Sequence, residues 1–296
     1  MTSALFLNQK EYPSLLANIY DPPKKLYYKG NLACLKKTCI AVVGTRRNSE
    51  YGEFYTKKIV AELSVYDVAI VSGLALGIDT IAHTTAIKQN LPTVAVLGSG
   101  LDNIYPRQNQ TLSEKILSHG GLLLSEYADN EEAIKFHFPQ RNRIISGLSV
   151  ATIVTEAPEK SGALITASLA LEQGRDIFTI PQDLERPESR GALYLLQNTS
   201  AYPISSAKDV INYLSIQTEF KPIAQKPAAQ KPVKIDHKVS SIGREILQHL
   251  SSERARSFEK ILKNIPIPPQ ELLSELSFLE VDGLVKISNG KILKTC

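Results

Sequence analysis

Residues 39–47 read Cys39-Ile40-Ala41-Val42-Val43-Gly44-Thr45-Arg46-Arg47, and their pattern recurs along the chain. Five apolar residues ended by a glycine are typical of a strand that is buried on both faces of a parallel sheet. Similar apolar runs predict further strands at residues 68–71, 93–97, 121–124, 151–155 and 176–180. Amphipathic helical stretches separate these strands. The alternation predicts an α/β fold with a mostly parallel sheet covered by helices on both faces.

Four of these strands are followed by a loop of small residues and then by a helix: Gly44-Thr45-Arg46-Arg47, Ser72-Gly73-Leu74-Ala75-Leu76-Gly77, Gly98-Ser99-Gly100 and Lys160-Ser161-Gly162. In an open α/β sheet the carboxyl ends of the strands form one edge, where ligands bind. Free backbone N–H groups and positive helix ends attract anions there, and glycine lets a ligand approach the backbone. Small residues also end strands in folds without a site, so only the four loops together with the arginines near them indicate one.

A second cationic motif is Phe138-Pro139-Gln140-Arg141-Asn142-Arg143. Two arginines stand on either side of an asparagine. The Lys160-Ser161-Gly162 turn then opens a helix after the next strand, so that side-chain cations and backbone donors can face the same anion. We therefore expect a phosphate-binding site.

Familiar nucleotide motifs narrow the choice of phosphate ligand. The turn after the first strand is not G-x-G-x-x-G, and the second strand ends in Ser72-Gly73 instead of an acidic residue, which disfavours NAD. No G-x-x-x-x-G-K-[ST] sequence occurs, so a P-loop ATPase is excluded. Gly98-Ser99-Gly100 lacks the wider G-x-S-x-G frame of serine hydrolases.

Several other polar residues have either a structural or a chemical interpretation. Asp79 and His83 stand four apart at the start of a predicted helix, where they could form an acid–base pair. We favour a structural role, because Asp79 complements the helix dipole and His83 can pack against the sheet. Glu126 and Glu156 end strands where a carboxylate can organise arginines or loop amides. We expect His137 to be exposed and to bind no metal.

Composition and charge set further limits. The 296 residues, 43% of them apolar, can bury one large core and a smaller second domain. No apolar run is long enough to cross a bilayer and the N-terminus lacks signal-peptide features, so we expect a cytoplasmic protein. Three cysteines without metal-ligand spacing predict reduced thiols and no zinc site. The net charge of +4 lies entirely beyond residue 216, so overall charge does not support polyanion binding by the first domain.

An ordered set of motifs resembles the DNA-processing protein A family (DprA, also called Smf). The motifs are Val43-Gly44-Thr45-Arg46, Ser72-Gly73-Leu74-Ala75-Leu76-Gly77-Ile78-Asp79, Ala82-His83, Gly100-Leu101-Asp102 with Tyr105-Pro106, Ser125-Glu126, Phe138-Pro139-Gln140-Arg141-Asn142-Arg143 and Ser161-Gly162-Ala163-Leu164-Ile165-Thr166-Ala167. No single motif is decisive, but their order is specific. The resemblance covers most of residues 5–214.

The resemblance implies a non-enzymatic homodimer without a cofactor that acts in bacterial natural transformation. Such a protein binds incoming single-stranded DNA, protects it and helps to load the recombinase RecA. The implied nucleic-acid-binding residues are Gly44, Thr45, Arg46, Arg47, Ser72, Gly73, Gly77, Gly98, Ser99, Arg141, Asn142, Arg143, Lys160, Ser161, Gly162 and Thr166. Lys135 is a further candidate for a phosphate contact. Phe138 is either a base-stacking platform or a core residue.

This chain departs from the family pattern at five positions. Leu76 stands where many members carry arginine, which removes one phosphate contact. The other departures are Gln182, Leu193, Thr199 and Ser200, and they alter the contour of the predicted pocket.

The resemblance also implies the domain organisation. Residues 1–215 form an extended, Rossmann-like, doubly wound domain, in which residues 1–37 are an N-terminal extension. Residues 216–239, rich in Lys-Pro and Ala, predict a mobile linker. Residues 240–296 predict two helices and a hairpin that turns at Asn289-Gly290, which resembles a winged-helix domain. The recognition-helix candidate, residues 270–280, carries three glutamates and no Lys or Arg, so we favour contacts with protein over duplex DNA.

Two other classes of protein are alternatives, and the first of them shares this Rossmann-like architecture. One is a nucleotide phosphoribohydrolase of the lysine-decarboxylase-like group, which resembles a P-G-G-x-G-T-x-x-E pattern. Here the comparable turn, residues 160–166, continues into Ala167-Ser168-Leu169 without the glutamate. The other is a nucleotide-sensing regulatory module, which would bind a mononucleotide but no oligonucleotide.

Overall fold

The computed structural model describes residues 2–183, 185–215, 240–250, 256–262, 264–265, 267–288 and 291–295. The chain divides into two compact units, Met1–Ile223 and Ala224–Cys296. The predicted linker, residues 216–239, and the predicted Asn289-Gly290 turn lie outside the described residues.

The first unit is built on a nine-stranded sheet with the order β1-β2-β6-β5-β4-β3-β7-β8-β9. The strands are β1 (Ser3–Phe6), β2 (Lys25–Gly30), β3 (Thr38–Val43), β4 (Val68–Ser72), β5 (Thr93–Leu97), β6 (Leu122–Ser125), β7 (Ala151–Val154), β8 (Asp176–Thr179) and β9 (Tyr202–Pro203). All neighbours from β6 to β9 pair in parallel. The six strands predicted from sequence are β3 to β8, with their ends shifted by at most one residue.

Helices cover both faces of this sheet: α1 (Ser14–Ala17), α2 (Glu50–Leu63), α3 (Ile78–Lys88), α4 (Gln110–Ser118), α5 (His137–Leu148), α6 (Gly162–Glu172), α7 (Arg190–Asn198) and α8 (Ala207–Tyr213). Side chains along β3 alternate between two cores. Ala41 and Val43 pack in the core that contains residues of α5 and α6. Ile40 and Val42 pack in the core that contains residues of α2, α3 and α8. Burial on both faces explains why β3 is apolar from Cys39 to Val43.

Three strands of the first unit were not predicted from the sequence: β1 and β9 lie at the two edges of the sheet, and β2 lies beside β1. β2 pairs antiparallel with β6, and β1 pairs antiparallel with β2. β2 reads Lys25-Leu26-Tyr27-Tyr28-Lys29-Gly30, in which only Leu26 is buried, so its sequence lacks a clear apolar run. The N-terminal extension therefore contributes two strands to the main sheet.

The chain reverses its direction across the sheet next to β3. From β3 it proceeds through β4 and β5 to β6, and then returns to place β7 on the other side of β3. The loops that follow β3 and β7 consequently diverge to opposite faces and leave a crevice between them. Such a switch point is the expected ligand site of an open α/β sheet.

The second unit has its own small core. Its elements are α9 (Ser241–His249), β10 (Arg256–Ser257), α10 (Phe258–Leu262), α11 (Pro269–Val281), β11 (Val285–Ser288) and β12 (Lys291–Lys294). The strands form an antiparallel sheet with the order β10-β12-β11. Ile246, Leu272, Leu276, Val285 and Ile292 are buried in its centre. None of the helices described in either unit is long and apolar enough to span a membrane.

Candidate nucleic-acid interface

A cleft of about 760 Å³ lies at the switch point, at the carboxyl ends of β3 and β7. Its walls come from the loops after these strands and from the first turns of α5 and α6. The structure brings most of the predicted site residues together in the lining: Gly44, Thr45, Arg46, Arg47, Lys135, Phe138, Arg141, Asn142, Lys160, Ser161, Gly162 and Thr166. Their contacts with nucleic acid stay a prediction.

Glu156 fixes the loop that carries the two exposed arginines, Arg46 and Arg47. The Glu156 carboxylate is buried at the end of β7 and accepts hydrogen bonds from the backbone N of Ser49 at 2.8 Å and from its Oγ at 2.5 Å. The backbone N of Thr45 donates to the carbonyl oxygen of Glu156 at 2.8 Å. The prediction that Glu156 organises loop amides is confirmed, and the loop is thereby held across the cleft from α6.

Phe138 serves as a wall of the cleft and as a support for Arg46. Its half-buried ring lies 5.4 Å from the guanidinium carbon of Arg46, in cation–π geometry, and 5.4 Å from the ring of Tyr105. A Cβ atom at Gly98 would lie 3.1 Å from Phe138 Cδ1, so glycine there allows the ring to sit close to the backbone. Phe138 therefore takes part in packing and also reaches the site.

The opposite wall is the N-terminus of α6. Ser161 caps this helix by accepting a hydrogen bond from the N of Ala163 at 3.2 Å. Lys160 and Gly162 are exposed at this end, and the first turn of α6 contains no acidic residue. Asn142 Nδ2 donates to the carbonyl oxygen of Gly162 at 3.4 Å, which ties α5 to the turn. The positive end of the helix dipole and the Lys160 ammonium thus reinforce each other.

The loop after β4 does not offer the backbone donors that were predicted from the sequence. The buried Asp79 carboxylate accepts hydrogen bonds from the N of Gly73 at 3.0 Å and from the N of Ala75 at 3.3 Å. Ser72 is fully buried, and its hydroxyl donates to Val42 O at 2.7 Å. The prediction that Ser72 and Gly73 contact phosphate is corrected. Both are structural residues, because their polar groups are already paired inside the protein.

Gly77, Gly98 and Ser99 also lie outside the cleft lining. Gly77 has a φ of 77°, and a Cβ atom there would lie 2.3 Å from the carbonyl oxygen of Thr45, so glycine allows the loops after β3 and β4 to touch. Ser99 is buried and its hydroxyl donates to Asn103 O at 2.6 Å. These residues shape the loops behind the cleft.

Arg141 and Arg143 point in different directions. Arg141 is buried, and its guanidinium donates to the carbonyl oxygens of Gly73 and Val96. Arg143 forms ion pairs with Asp21 at 3.1 Å and Glu126 at 2.8 Å and does not line the cleft. Residues two apart on a helix face opposite sides, so the pair could not grip one phosphate. The prediction that Arg143 faces the same anion as Arg141 is therefore wrong. The expected pairing of Glu126 with an arginine is confirmed.

The charge of Arg141 is compensated beneath the cleft. Burial lowers the pKa of Arg141 to about 10, and Asp79 partly offsets the effect, so the guanidinium stays charged at neutral pH. Burial raises the pKa of Asp79, while Arg141 and the loop N–H groups oppose this shift. The cations that face solvent in the cleft lining are Arg46, Arg47, Lys135 and Lys160, with Glu188 as a half-buried acidic residue of the same lining.

His83 is a structural residue, as favoured from sequence. It is buried, and its Nδ1 lies 2.7 Å from the hydroxyl oxygen of Thr93. The Thr93 hydroxyl donates to Ile70 O at 3.1 Å, so we assign the donated proton to His83 Nδ1. Burial, together with the charge of Arg141, lowers the pKa of His83 to about 3.

We expect the neutral His83 to make the protein acid-sensitive. The unfolded chain binds a proton at this histidine below a pH of about 6.5, whereas the folded protein binds it only near pH 3, so stability falls as the pH is lowered between these values. Urea unfolding followed by circular dichroism between pH 4 and 6 should show a shallower pH dependence in His83→Gln, by up to about 1.4 kcal/mol per pH unit. Equal slopes for the two proteins would contradict this assignment.

His137 is buried, which corrects the expectation that it is exposed. Its Nδ1 lies 3.2 Å from Gly98 O and its ring stacks on Tyr127 at a centroid distance of 3.7 Å. The residue begins α5 and faces the sheet. Within the described residues, no three His, Cys, Asp or Glu side chains come together as a metal site.

Tyr105 was assigned no function from the sequence, yet it lines the cleft and is 47% exposed. The Tyr105-Pro106 pair carries part of the family resemblance but has no predicted role in the site. Ile165 and Glu188 were also missed. A tyrosine in a loop gives no periodic signal, so only the tertiary structure reveals its place beside Phe138.

These features define a class of protein: a Rossmann-like α/β protein with a cationic cleft at the switch point of its sheet. The chain belongs to the DNA recombination-mediator protein A family, whose model matches residues 3–215. It is 46% identical over 200 residues to DNA processing protein DprA of Streptococcus pneumoniae, a match that covers 68% of this chain and 70% of the relative. It is 35% identical over 279 residues to Protein Smf of Escherichia coli, a match that covers 94% of this chain and 74% of the relative.

Two solved structures have the same fold. The crystal structure of DNA processing protein A from S. pneumoniae matches with a TM-score of 0.67 and 43% identity, over 71% of this chain and 73% of that one. The structure of the Helicobacter pylori protein matches with a TM-score of 0.65 and 34% identity, over 73% of this chain and 96% of that one. This second structure gives insights into the single-stranded DNA binding mode of the H. pylori protein.

Proposed function

We propose that this protein binds single-stranded DNA in the cleft between the β3 and β7 loops. The observation that carries the proposal is the convergence of Arg46, Arg47, Lys135 and Lys160 on one cleft with the N-terminus of α6. Phosphates of a flexible strand can follow such a row of cations. The single-stranded DNA binding mode of the H. pylori relative supports the choice of ligand.

An unpaired strand fits the lining better than a duplex does. Phe138 and Tyr105 present aromatic surface beside the cations. In a duplex the faces of the bases are stacked and covered, whereas in a single strand they are free to stack on aromatic side chains. A cleft of about 760 Å³ also has room for more than one contact along a chain.

In this proposal the protein acts by stoichiometric binding and not by catalysis. It protects incoming DNA during natural transformation and helps to load RecA, a role that its membership of a recombination-mediator family supports. Asp79 and His83, the acid–base pair that the sequence offers, are held in structural contacts. We propose that the protein works as a homodimer, for which a mass in solution of twice 32.6 kDa is the test.

We propose that residues 240–296 form a winged-helix domain, tethered by residues 216–239. The succession of α9, β10, α10, α11, β11 and β12 supports this assignment. α11 carries Glu271, Glu275 and Glu280, while Leu273 and Phe278 on the same helix are exposed. Acidic and apolar groups suit a protein partner better than DNA phosphates.

Fluorescence anisotropy with labelled oligonucleotides tests the proposed function. We expect the full chain to prefer a single strand over the matching duplex, with an affinity that falls as salt rises, because bound phosphates release counterions. AMP should compete poorly, since a mononucleotide makes only a small part of the phosphate contacts. Equal competition by micromolar AMP would favour a nucleotide-sensing module instead.

A further inference from the structure

The β4 loop, residues 73–77, is held in a strained backbone conformation. Leu74 is fully buried and has a φ of 57°, a left-handed conformation that costs free energy for any residue with a Cβ atom. Such strain persists only where the surrounding contacts over-determine the backbone. The contacts around Leu74 therefore bear on what this loop does.

Asn109 holds the β4 loop from a neighbouring turn. Its side chain is buried, and its Nδ2 donates to the carbonyl oxygens of Leu74 at 2.8 Å and Ala75 at 3.2 Å and to Thr80 Oγ1 at 2.8 Å. Because a carbonyl oxygen can only accept, the amide nitrogen and not the amide oxygen must face the loop. The Thr80 hydroxyl in turn donates to Ala75 O at 2.7 Å. One buried amide thus fixes the carbonyl groups of the strained turn.

The end of the same loop lies against the backbone of Arg46. The N of Ile78 donates to Thr45 O at 3.2 Å. A Cβ atom at Gly77 would lie 2.3 Å from the carbonyl oxygen of Thr45 and 2.9 Å from Arg46 Cα. The two backbones touch here, so a shift of the β4 loop moves Arg46.

We propose that Asn109 is a positioning residue for DNA binding, which keeps Arg46 in place to contact phosphate. The inference rests on the proposed binding of single-stranded DNA. Asn109 itself is buried and lies outside the cleft lining, so it acts through the β4 loop and not by touching DNA. Without its amide the turn at Leu74 can relax, and the Arg46 side chain must then be ordered when DNA binds. The cost of that ordering is lost affinity.

The effect of Asn109 should be confined to one wall of the cleft. Lys160 lies on the opposite wall, at the N-terminus of α6, and the β4 loop does not carry it. Loss of Asn109 should therefore weaken the contribution of Arg46 and leave that of Lys160 unchanged. A general loss of stability would instead reduce binding by the same factor whichever cation is present. This difference separates positioning from a merely structural role.

The experiment measures the affinity of the full chain for a thymidine oligonucleotide by fluorescence anisotropy in two double-variant cycles. Asn109→Leu is combined with Arg46→Gln in one cycle and with Lys160→Gln in the other. We expect Asn109→Leu alone to bind about two- to tenfold more weakly, which is the cost of ordering one long side chain. In the Arg46→Gln background the further loss should be less than about twofold, whereas in the Lys160→Gln background it should keep its full size.

Two further variants complete the experiment. Thr80→Val removes one of the three partners of the Asn109 amide and keeps the shape of the side chain, so its loss should depend on Arg46 in the same way. Asn103→Leu is the matched control, because the exposed Asn103 donates from Nδ2 to Asn130 O at 2.7 Å and lies outside the cleft lining. It should bind as the unchanged protein does. Circular dichroism checks that each variant is folded.

The inference is overturned if a folded Asn109→Leu variant binds normally, or if its loss is the same in both backgrounds. If Asn109→Leu does not fold, Thr80→Val decides by the same two cycles, and equal losses in both backgrounds overturn the inference. If the unchanged protein does not bind the oligonucleotide, the proposed function itself fails.

Discussion

Replacing Arg141 by methionine should lower the free energy of unfolding by about 3–5 kcal/mol. The guanidinium is buried and is held by the carbonyl oxygens of Gly73 and Val96, and its charge compensates the buried Asp79 carboxylate. Methionine fills a similar volume but leaves Asp79 without its cation. The cost comes from the uncompensated buried charge that remains.

Urea unfolding at neutral pH, followed by circular dichroism, measures this loss. Arg143→Met is the matched control from the same helix, and we expect it to cost only roughly 1 kcal/mol because both of its ion-pair partners stay accessible to solvent: Asp21 is exposed and Glu126 is half-buried. The double variant Arg141→Met with Asp79→Leu should recover part of the loss, since it removes both charges together. If Arg141→Met is as stable as the unchanged protein, the buried pair does not have the role assigned to it.

The central strands of the sheet can be predicted from the sequence. The strands β3 to β8 are short apolar runs because helices cover both of their faces, and such runs stand out in a sequence. The outer strands β1, β2 and β9 do not stand out. β2 contains Lys25 and Lys29 and buries only Leu26, and β9 has two residues, so neither has a pattern that differs from that of a loop.

The location of the site was predicted from the sequence, but only some of its residues were. The rule that ligands bind at the carboxyl ends of parallel strands placed the loops of Arg46 and Lys160 together correctly. The direction of individual groups depends on partners that are distant in sequence. Arg141 donates to the carbonyl oxygens of Gly73 and Val96, 68 and 45 residues away, and Arg143 pairs with Asp21, 122 residues away. No local pattern contains that information.

For the same physical reason, the positive charge of an arginine does not show whether its side chain faces the cleft or the protein interior. Arg141, Arg143 and Arg46 look equivalent in sequence, yet only Arg46 of the three is exposed in the cleft. A buried guanidinium must satisfy its donors inside the protein, which Arg141 does with backbone carbonyls. The functional cations are therefore those on loops and helix ends that face solvent.

Removing three of these cations together should have the largest effect on DNA binding. In the variant Arg46→Gln with Lys135→Gln and Lys160→Gln, each lost charged contact is worth about 1.5–3 kcal/mol. The three losses together predict an affinity for a single-stranded oligonucleotide that is lower by at least about a thousandfold. The slope of log affinity against log salt should fall in magnitude by about 2, because three fewer phosphates are neutralised. The fold should persist, since all three side chains are exposed.

A control with the same change in charge separates a local site from general attraction. Lys10, Lys36 and Lys88 are exposed and lie outside the cleft lining, so Lys10→Gln with Lys36→Gln and Lys88→Gln removes three charges elsewhere on the first unit. At 0.15 M salt the Debye length is about 8 Å, so distant charges are largely screened and this control should bind almost normally. Equal losses in the two triple variants would mean that DNA responds to the overall charge of the protein and not to the cleft. A loss confined to the first variant places the phosphates between the β3 loop and the N-terminus of α6.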